Sequence, residues 1–241
     1  MTETKERVSP ALDKDEIAWF APLEDEAAPR RAAPLMVPIR SLGANHRERI
    51  AHHLLALEPH DRYLRFGFAA NDAQIERYAD SLNFERDEIF GIYNRRLQLI
   101  AMAHLAFDPD SRLRDCAEFG VSVLKAARGR GYGGRLFDRA AMHARNEGVN
   151  RMFIHALSEN TTMLKIARKA GAAVERDGSD SEAQLLLLPA TLDSRLTELV
   201  EEQLAQTDYR IKVQVKHFRD ALSSMVSSRK AAPDARRSAG K

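Results

Sequence analysis

Hydrophobic residues in the first third of the chain recur mainly at helical spacing. An extended run predicts a short strand at 35–42, and the pattern after it predicts a helix that has Asn45 as its N-cap and ends at Pro59. A second helix is predicted to follow Asn71 or Asp72, since both residue types cap helices well. We therefore expect the chain to open with one strand and two helices.

From residue 88 the hydrophobic pattern changes to the alternation that is typical of strands. Three strands are predicted at 89–93, 98–107 and 116–124, and their short connections indicate an antiparallel meander. This order of elements predicts a mixed α+β domain with a mostly antiparallel sheet. The pattern then predicts a helix, a strand, a helix and a hairpin, at 133–146, 151–157, 161–169 and 172–188.

A helical pattern returns after Pro189 and predicts one long helix at 191–226. Its apolar residues form a single stripe, which can pack across the body of the protein or pair with a second chain. Because the predicted elements of the preceding domain end by Pro189, we expect the stripe to do each in part and to give a homodimer. The stripe consists of Leu196, Val200, Leu204, Thr207, Ile211, Val215, Phe218, Leu222 and Met225.

The two ends of the chain differ in composition from the middle. Residues 1–33 carry eight acidic and five basic side chains without sustained periodicity, and we expect them to be mostly disordered. Residues 209–241 carry nine lysines and arginines against two aspartates, and their last part, 227–241, is expected to be a disordered basic tail. A solvated helix face and a tail account for this charge, so no nucleic-acid partner is predicted. The folded domain is expected at 34–190.

The overall composition, with 44% hydrophobic and 30% charged residues, suits a soluble protein with a substantial core. No apolar run reaches the roughly 18 to 20 residues that a membrane-spanning helix needs, and the N-terminus leads into acidic sequence. We therefore expect a cytoplasmic protein that does not engage a membrane. The single cysteine, Cys116, cannot form an internal disulfide, and no His/Cys cluster has zinc spacing, so no metal site is predicted.

The segment with the clearest chemistry is a glycine-rich turn between a predicted strand and a predicted helix. Glycines at 129, 131, 133 and 134 permit positive φ angles and leave the backbone open to close approach by a ligand. The amides at the start of the helix, together with its dipole, favour a phosphate or pyrophosphate group. The turn therefore predicts a phosphate-containing ligand.

The same glycines also satisfy the dinucleotide pattern G-x-G-x-x-G, and Glu159 follows the next strand. Against a dinucleotide site, four residues separate the strand from Gly129, and three antiparallel strands precede the turn. A Walker loop is excluded because no Lys-Ser or Lys-Thr follows the glycines. A dinucleotide-binding protein remains the less favoured alternative.

Two motifs lie in the turn and on the helix that follows the next strand. Arg128, Gly131 and Gly133 have the spacing of Gln or Arg, two residues, Gly, one residue, and Gly or Ala, which resembles the acetyl-CoA pattern of the GCN5-related N-acetyltransferase (GNAT) superfamily. Asn160 with Lys169-Ala170-Gly171 is similar to its N-x-x-A…K-x-G segment. The resemblance covers roughly residues 35–190 and implies a three-layer fold with a splayed central sheet and acetyl-CoA as acyl donor.

The resemblance also implies roles for individual residues. Main-chain groups of Val121 and Val123 would bond the pantetheine arm as an added strand would. Arg128 and Arg130 would add charge beside the phosphates or remain solvated loop cations, and Asn160 would contact the cofactor arm, cap the next helix, or do both. The pyrophosphate would be cradled by the backbone amides of Gly129, Arg130, Gly131, Tyr132, Gly133 and Gly134.

Acetyl transfer to an amine needs a group that removes a proton, and Glu118 is the candidate general base. It lies on the strand that should run beside the acyl donor, where related protein acetyltransferases carry a similarly placed glutamate. We expect burial beside Phe119 and Val121 to raise its pKa. The alternative is a glutamate at a strand edge that forms a salt bridge.

The sequence departs from the family at Ala167, where many members have a tyrosine that acts as general acid. Either a thiolate leaves without an acid, or another residue supplies the proton. His104 could help, although a hydrogen-bonded histidine within the sheet is the favoured interpretation. The missing tyrosine also leaves open a second function, a non-catalytic acyl-CoA sensor that engages a partner through its long helix.

The acceptor site is less clearly encoded. The segment 62–66, Arg-Tyr-Leu-Arg-Phe, resembles the stretch before the second helix in bacterial protein-lysine acetyltransferase domains. The resemblance is short, so the acceptor is expected to be either a protein lysine or a small primary amine.

Overall fold

The computed structural model describes residues 37–108 and 115–230 and shows a seven-stranded mixed sheet with helices on both faces. The strands are β1 (Arg40–Ser41), β2 (Glu88–Tyr93), β3 (Leu99–Phe107), β4 (Cys116–Val123), β5 (Arg151–Leu157), β6 (Ala173–Asp177) and β7 (Asp180–Leu186). The sheet order is β1-β2-β3-β4-β5-β7-β6, and every neighbouring pair is antiparallel except β4 with β5. The predicted α+β class with a mostly antiparallel sheet is confirmed.

The one parallel pair is also the place where the sheet splits. β4 and β5 pair only over three positions, from Cys116 opposite Arg151 to Glu118 opposite Phe153. β4 then continues to Val123 with β3 as its partner, and β5 continues to Leu157 with β7 as its partner. The two halves of the sheet therefore diverge after Glu118 and open a wedge between β4 and β5.

Helices cover the sheet in two layers, each with its own apolar core. One core contains Ile50, Leu54 and Ile75 from the first helices together with Met102 of β3. The other, on the opposite face, contains Leu136 and Phe137 and the inward residues of the central strands. The helices are α1 (Arg47–Leu55), α2 (Pro59–Phe66), α3 (Asp72–Ser81), α4 (Tyr132–Asn146), α5 (Thr161–Lys169) and α6 (Leu192–Lys230).

The opening of the chain differs from the prediction. Pro59 does not close the first helix, which ends at Leu55, but occupies the first turn of α2, where its missing N–H costs nothing. The prediction therefore missed α2. Asn45 is not a cap either, because it lies in the 3-10 turn Ala44–His46 that precedes α1.

The remaining predictions for the first part of the chain are confirmed only in part. The first strand is only Arg40–Ser41, and positions 35 and 36 of the predicted strand lie outside the described residues, as do 1–33 and 231–241. The Asn71 cap is confirmed, since its side chain accepts the Gln74 N–H at 2.9 Å and the Gln74 side chain returns the bond. Within 37–108 and 115–230, no helix combines the length and the apolar character that crossing a bilayer requires.

The first half of the long helix α6 contacts α4 through polar side chains. Arg139 of α4 is only 3% exposed and pairs with Glu198 at 3.1 Å and Glu202 at 3.4 Å. His143 contacts Glu198 at 2.6 Å, and although burial opposes the shift, this carboxylate raises the pKa of His143. Because a buried guanidinium needs counter-charges, the helix turns its carboxylates inward.

The expectation that the apolar stripe packs partly on the body is therefore wrong. Leu196 is 63% exposed, Val200 57%, Ile211 56% and Val215 51%. Leu204 is likewise exposed, while the side chains of Phe218, Leu222 and Met225 lie outside the described part. The stripe faces away from the domain along the described length of the helix.

Candidate active site

A cavity of about 1110 Å³ fills the wedge between β4 and β5. Its walls are the two diverging strands, α2, the first turn of α4, and α5. Arg130 is exposed and does not line it, so the structure brings together all the residues predicted for the site except this one. The predicted residues that line the cavity are Glu118, Val121, Val123, Arg128, Gly129, Gly131, Tyr132, Gly133, Gly134 and Asn160.

The glycine turn has the geometry that an anion-binding turn needs. Gly129 and Gly131 both have a φ of 75°, a conformation that other residues rarely adopt. Gly131 is the N-cap of α4 and offers no side chain to cap the amides of the first turn, which leaves them for a ligand. A Cβ at Gly133 would lie 3.3 Å from Ile166 Cδ1, so this glycine also lets α4 and α5 pack closely.

The exposed edge of β4 presents backbone groups to the wedge. The N–H of Leu124 donates to the carbonyl of Ile100 at 3.0 Å, so Leu124 is in a hydrogen-bonded pair with β3. In an antiparallel ladder hydrogen-bonded and non-hydrogen-bonded pairs alternate, so Val123 and Val121, one and three positions before Leu124, are in non-hydrogen-bonded pairs. Their N–H and C=O groups therefore point away from β3 and toward the gap. The Val123 carbonyl there accepts a bond from Arg128 Nε at 3.3 Å. An extended ligand arm in the wedge would find strand-like partners at Val121.

Glu118 stands at the point where β4 and β5 separate, but it is not buried. Strand alternation sends its neighbour Phe119 into the core against Phe137 and leaves the Glu118 carboxylate exposed in the cavity. The predicted burial is therefore wrong. Among the ion pairs of the described residues, none includes Glu118, so the alternative of a salt-bridged strand-edge glutamate is not observed there.

The charged residues around the cavity concentrate near the glycine turn. Arg128 forms an ion pair with Asp61, a buried carboxylate of α2, so it links the turn to the helix across the wedge. Lys165 and Lys169 of α5 also line the cavity. Burial raises the pKa of Asp138, and Lys169 partly offsets that rise. The turn end of the cavity therefore offers several cations to an anionic ligand.

Asn160 and Ala167 belong to the α5 side of the site, where only Asn160 lines the cavity. The Asn160 side chain accepts the Met163 N–H at 3.1 Å and caps α5, and it also lines the cavity, so the capping role is observed and a ligand contact is still compatible with it. Ala167 is completely buried in the core and has no proton to give. A general acid at this position is therefore excluded.

A polar pair beside the cavity was missed by the sequence analysis, with Ser122 on the cavity wall and His53 behind it. His53 of α1 is buried, with Nδ1 2.9 Å from the Leu99 carbonyl and Nε2 2.8 Å from Ser122 Oγ. Since a carbonyl can only accept, Nδ1 carries the hydrogen and Nε2 accepts from the Ser122 hydroxyl. Burial lowers the pKa of His53 to about 4. Spacing on α1 marks His53 as inward-facing, but nothing local identifies Ser122 as its partner.

His53 gives the protein a pH-dependent stability that can be measured. Its pKa is about 4 in the folded chain against 6.5 for an exposed histidine, so between these values the unfolded state binds a proton that the folded state does not. Stability is therefore lost as the pH falls, by about 2 kcal/mol between pH 7 and pH 5. Urea unfolding at both pH values should show this loss in the wild type, and a His53→Asn variant should lack this part of it. An equal pH dependence in both proteins would contradict the prediction.

His104 is hydrogen-bonded on both sides, as the sequence analysis favoured. Its Nδ1 lies 2.8 Å from Tyr78 Oη and its Nε2 lies 3.2 Å from Asp87 Oδ2. Burial acts to raise the pKa of Asp87, but the hydrogen bonds from His104 and Arg86 outweigh it and hold this pKa well below the usual value. Tyr78 also accepts a hydrogen bond from Arg65, a cavity-lining residue whose role the sequence did not reveal.

Comparisons with known proteins agree with this arrangement. The model of the acetyltransferase (GNAT) family matches residues 52–172, half of the chain. No curated protein sequence gives a significant match. The GNAT domain of PAT from S. lividans has a TM-score of 0.54 and 21% identity over 62% of this chain and 89% of that one.

Two further solved structures share the fold. An acetyltransferase of the GNAT family from Streptococcus pneumoniae has a TM-score of 0.50 and 15% identity over 64% of this chain and 100% of that one. A GNAT phosphinothricin acetyltransferase from Sinorhizobium meliloti, solved in complex with AcCoA, has a TM-score of 0.51 and 14% identity over 63% and 88%. Similarity at these identities shows the fold alone. Because the family model spans half of the chain, the chain belongs to the acetyltransferase (GNAT) family, and the expectation of an N-acetyltransferase is confirmed.

Proposed function

We propose that the protein transfers an acetyl group from acetyl-CoA to a primary amine, with Glu118 as general base. The observation that carries this proposal is the wedge that opens after Glu118, because it joins a strand edge, a carboxylate and an anion-binding turn in one cavity. A thioester lying along β4 would have its reactive carbon near the start of the split.

The residues around the turn fit acetyl-CoA. The amides after Gly131 suit the pyrophosphate, the edge of β4 at Val121 suits the amide-bearing pantetheine arm, and Arg128, Lys165 and Lys169 suit the negative charge. The S. meliloti relative of similar fold was solved with AcCoA. These features support acetyl-CoA as donor over a dinucleotide, which has no need of a free strand edge.

The chemistry needs few protein groups. The amine nitrogen forms a bond to the thioester carbon, Glu118 takes the proton that the nitrogen loses, and the carbon–sulfur bond breaks to release CoA as a thiolate. A thiolate is a good enough leaving group to depart without a strong acid, which is consistent with the buried Ala167. Exposure of Glu118 lets an amine reach it from the α2 side of the cavity.

The test is the release of free CoA from acetyl-CoA over a panel of primary amines and lysine peptides, by the wild type and a Glu118→Gln variant. Turnover that depends on Glu118 supports the enzyme. Binding of acetyl-CoA without turnover on any amine would favour the sensor, and tight binding of NAD with none of CoA would favour the dinucleotide protein. The resemblance of residues 62–66 to bacterial protein-lysine acetyltransferase domains supports protein lysines as one arm of the panel, beside small amines.

We also propose that residues 34–190 form the catalytic domain and that α6 joins two copies of the chain. The last strand ends at Leu186 and α6 begins at Leu192, which supports the boundary. An exposed stripe of large apolar residues on a helix is unfavourable in water, since each buried Leu or Ile contributes about 1.5 to 3 kcal/mol. A second α6 offers a matching stripe.

We expect the full-length protein to sediment as a dimer at micromolar concentration. The double variant Val200→Glu with Ile211→Glu should be a monomer, because both residues lie in the exposed stripe and burying a charge at a dimer interface is costly. The matched control is Gln203→Glu with Gln214→Glu, which adds the same charge at the same spacing beside the stripe and should leave the dimer largely intact. A wild type that sediments as a monomer would show the dimer proposal to be wrong.

A further inference from the structure

The guanidinium of Arg65 lies directly on the backbone of Gly120 in β4. A Cβ at Gly120 would be 2.7 Å from Arg65 Cζ and 2.7 Å from its Nη2, closer than real contacts allow. Gly120 is not among the glycines with positive φ, so backbone conformation does not require glycine here. The glycine instead makes room for the guanidinium, which is thereby held against the cavity wall.

A chain of hydrogen bonds fixes the orientation of this guanidinium. Arg65 Nη2 donates to Tyr78 Oη at 2.9 Å, and Tyr78 lies 2.8 Å from His104 Nδ1. His104 Nε2 lies 3.2 Å from Asp87, whose carboxylate is also held by Arg86 at 2.7 Å. Each link of this chain has one donor and one acceptor when Tyr78 donates to His104 and His104 donates to Asp87, and Arg65 keeps further N–H groups for a ligand. Such an arrangement is typical of a preorganised binding group rather than of a loose surface cation.

The positive charge of Arg65 has no counter-ion among the described residues. Its neighbour on the same helix, Arg62, pairs with Asp72 at 2.6 Å, and Arg128 across the wedge pairs with Asp61, but none of the ion pairs within 37–108 and 115–230 includes Arg65. Within the described part of the chain it donates to the neutral Tyr78 hydroxyl, and its Cζ lies 5.3 Å from the Phe66 ring and 5.6 Å from the Tyr78 ring, so its direct partners are uncharged. A half-buried guanidinium of this kind is favourably complemented by an anion from a ligand, and its planar fork suits a carboxylate in particular.

The position of Arg65 points to the acceptor rather than to acetyl-CoA. Gly120 lies two residues from Glu118 on the same face of β4, so the guanidinium and the base are separated by about 7 Å along the strand. The phosphates would lie at the glycine turn, on the order of 10 Å further along the chain from Gly120, and the pantetheine arm carries no charge. An amine at Glu118 could therefore place a nearby anion on Arg65.

We propose that Arg65 is a specificity-determining residue that binds a carboxylate of the acceptor, so that the preferred acceptor is an amine that also carries a carboxylate. This inference rests on the proposed acetyl transfer. The carboxylate can belong to a small amino acid or to an acidic side chain beside a lysine, and both present the same group to the guanidinium. Tyr78 acts through Arg65 as a positioning residue.

The test compares acceptors that differ only in the carboxylate. One arm uses ω-amino acids from glycine to 6-aminohexanoate against the matching alkylamines, and the other uses lysine peptides flanked by Glu or by Gln. The wild type should prefer the carboxylate-bearing member of at least one arm, and Arg65→Gln should reduce that preference in kcat/KM about tenfold to a hundredfold. The arm that responds identifies the source of the carboxylate.

Two variants separate binding from folding. Gly120→Ala keeps the charge but displaces the flexible end of Arg65, and it should lose the same preference. Arg77→Gln removes the same charge from an exposed position of α3 and should behave as the wild type. Affinity for acetyl-CoA should be unchanged in all three. The proposal would be overturned if Arg65→Gln kept the preference of the wild type for carboxylate-bearing acceptors. It would also be overturned if this variant lost affinity for acetyl-CoA instead of that preference.

A binding measurement keeps this inference distinct from the proposed function. Calorimetric titration of the CoA-loaded protein with 4-aminobutyrate and with butylamine needs no turnover. Tighter binding of 4-aminobutyrate that is lost in Arg65→Gln supports the carboxylate site even if no acetyl transfer is found. Equal binding by the wild type of acceptors with and without the carboxylate, in the ω-amino acid pairs and in the Glu- and Gln-flanked lysine peptides alike, overturns it, even if the protein acetylates neutral amines well.

Discussion

Leucine in place of Gly131 is expected to weaken acetyl-CoA binding by at least about a hundredfold. Gly131 has a φ of 75° and forms the N-cap of α4, so a side chain there forces the turn out of the conformation that presents its amides. Loss of two charge-assisted hydrogen bonds to phosphate costs about 3 to 6 kcal/mol, which accounts for the size of the effect. Isothermal calorimetry of wild type and variant measures it directly.

The chain offers a matched control for this substitution. Gly148, at the other end of α4, has a φ of 86°, and a Cβ there would also meet nothing within 4 Å. Gly148→Leu therefore carries a similar backbone strain, on the order of 1 to 2 kcal/mol, without touching the cavity. Gly148→Leu should lose about as much stability as Gly131→Leu and should still bind acetyl-CoA. If Gly131→Leu binds acetyl-CoA as tightly as Gly148→Leu does, the turn does not hold the phosphates.

Local signals account for the parts of this fold that the sequence predicts well. β5 and α5 follow their predicted limits because each is a short periodic run between clear breakers. The glycine turn is recognisable because its conformation needs glycine at particular positions. The length of the wedge could not be inferred from such local signals. It depends on where β4 stops pairing with β5, and these strands are distant from each other in the sequence.

Features set by distant contacts were not predictable. The orientation of α6 follows from a buried arginine, Arg139, which belongs to another helix and draws the carboxylates of α6 inward. Arg65 depends on Gly120 and Tyr78, which are brought to it only by the packing of α2 on β4 and by the contact of α3 with β3 through His104. The exposure of Glu118 was mispredicted because apolar neighbours on a strand point to the opposite face.

Glutamine at Glu118 is expected to lower kcat for acetyl transfer by about a hundredfold to ten-thousandfold. The amide has nearly the same shape but cannot take the proton of the attacking amine, so affinity for acetyl-CoA should stay within about threefold of the wild type. Because the fraction of unprotonated amine rises with pH, the deficit should shrink in alkaline solution, where less base catalysis is needed.

A suitable control for Glu118 is Glu175→Gln on β6, which removes one exposed carboxylate of the sheet outside the cavity. This variant should retain wild-type kcat, which separates the effect of a base in the wedge from that of net charge. If Glu118→Gln keeps a kcat close to that of the wild type, the proton leaves by another path. The Ser122 hydroxyl on the same strand, held by the neutral His53, would then be the next group to test, because it lines the same cavity two positions beyond Gly120.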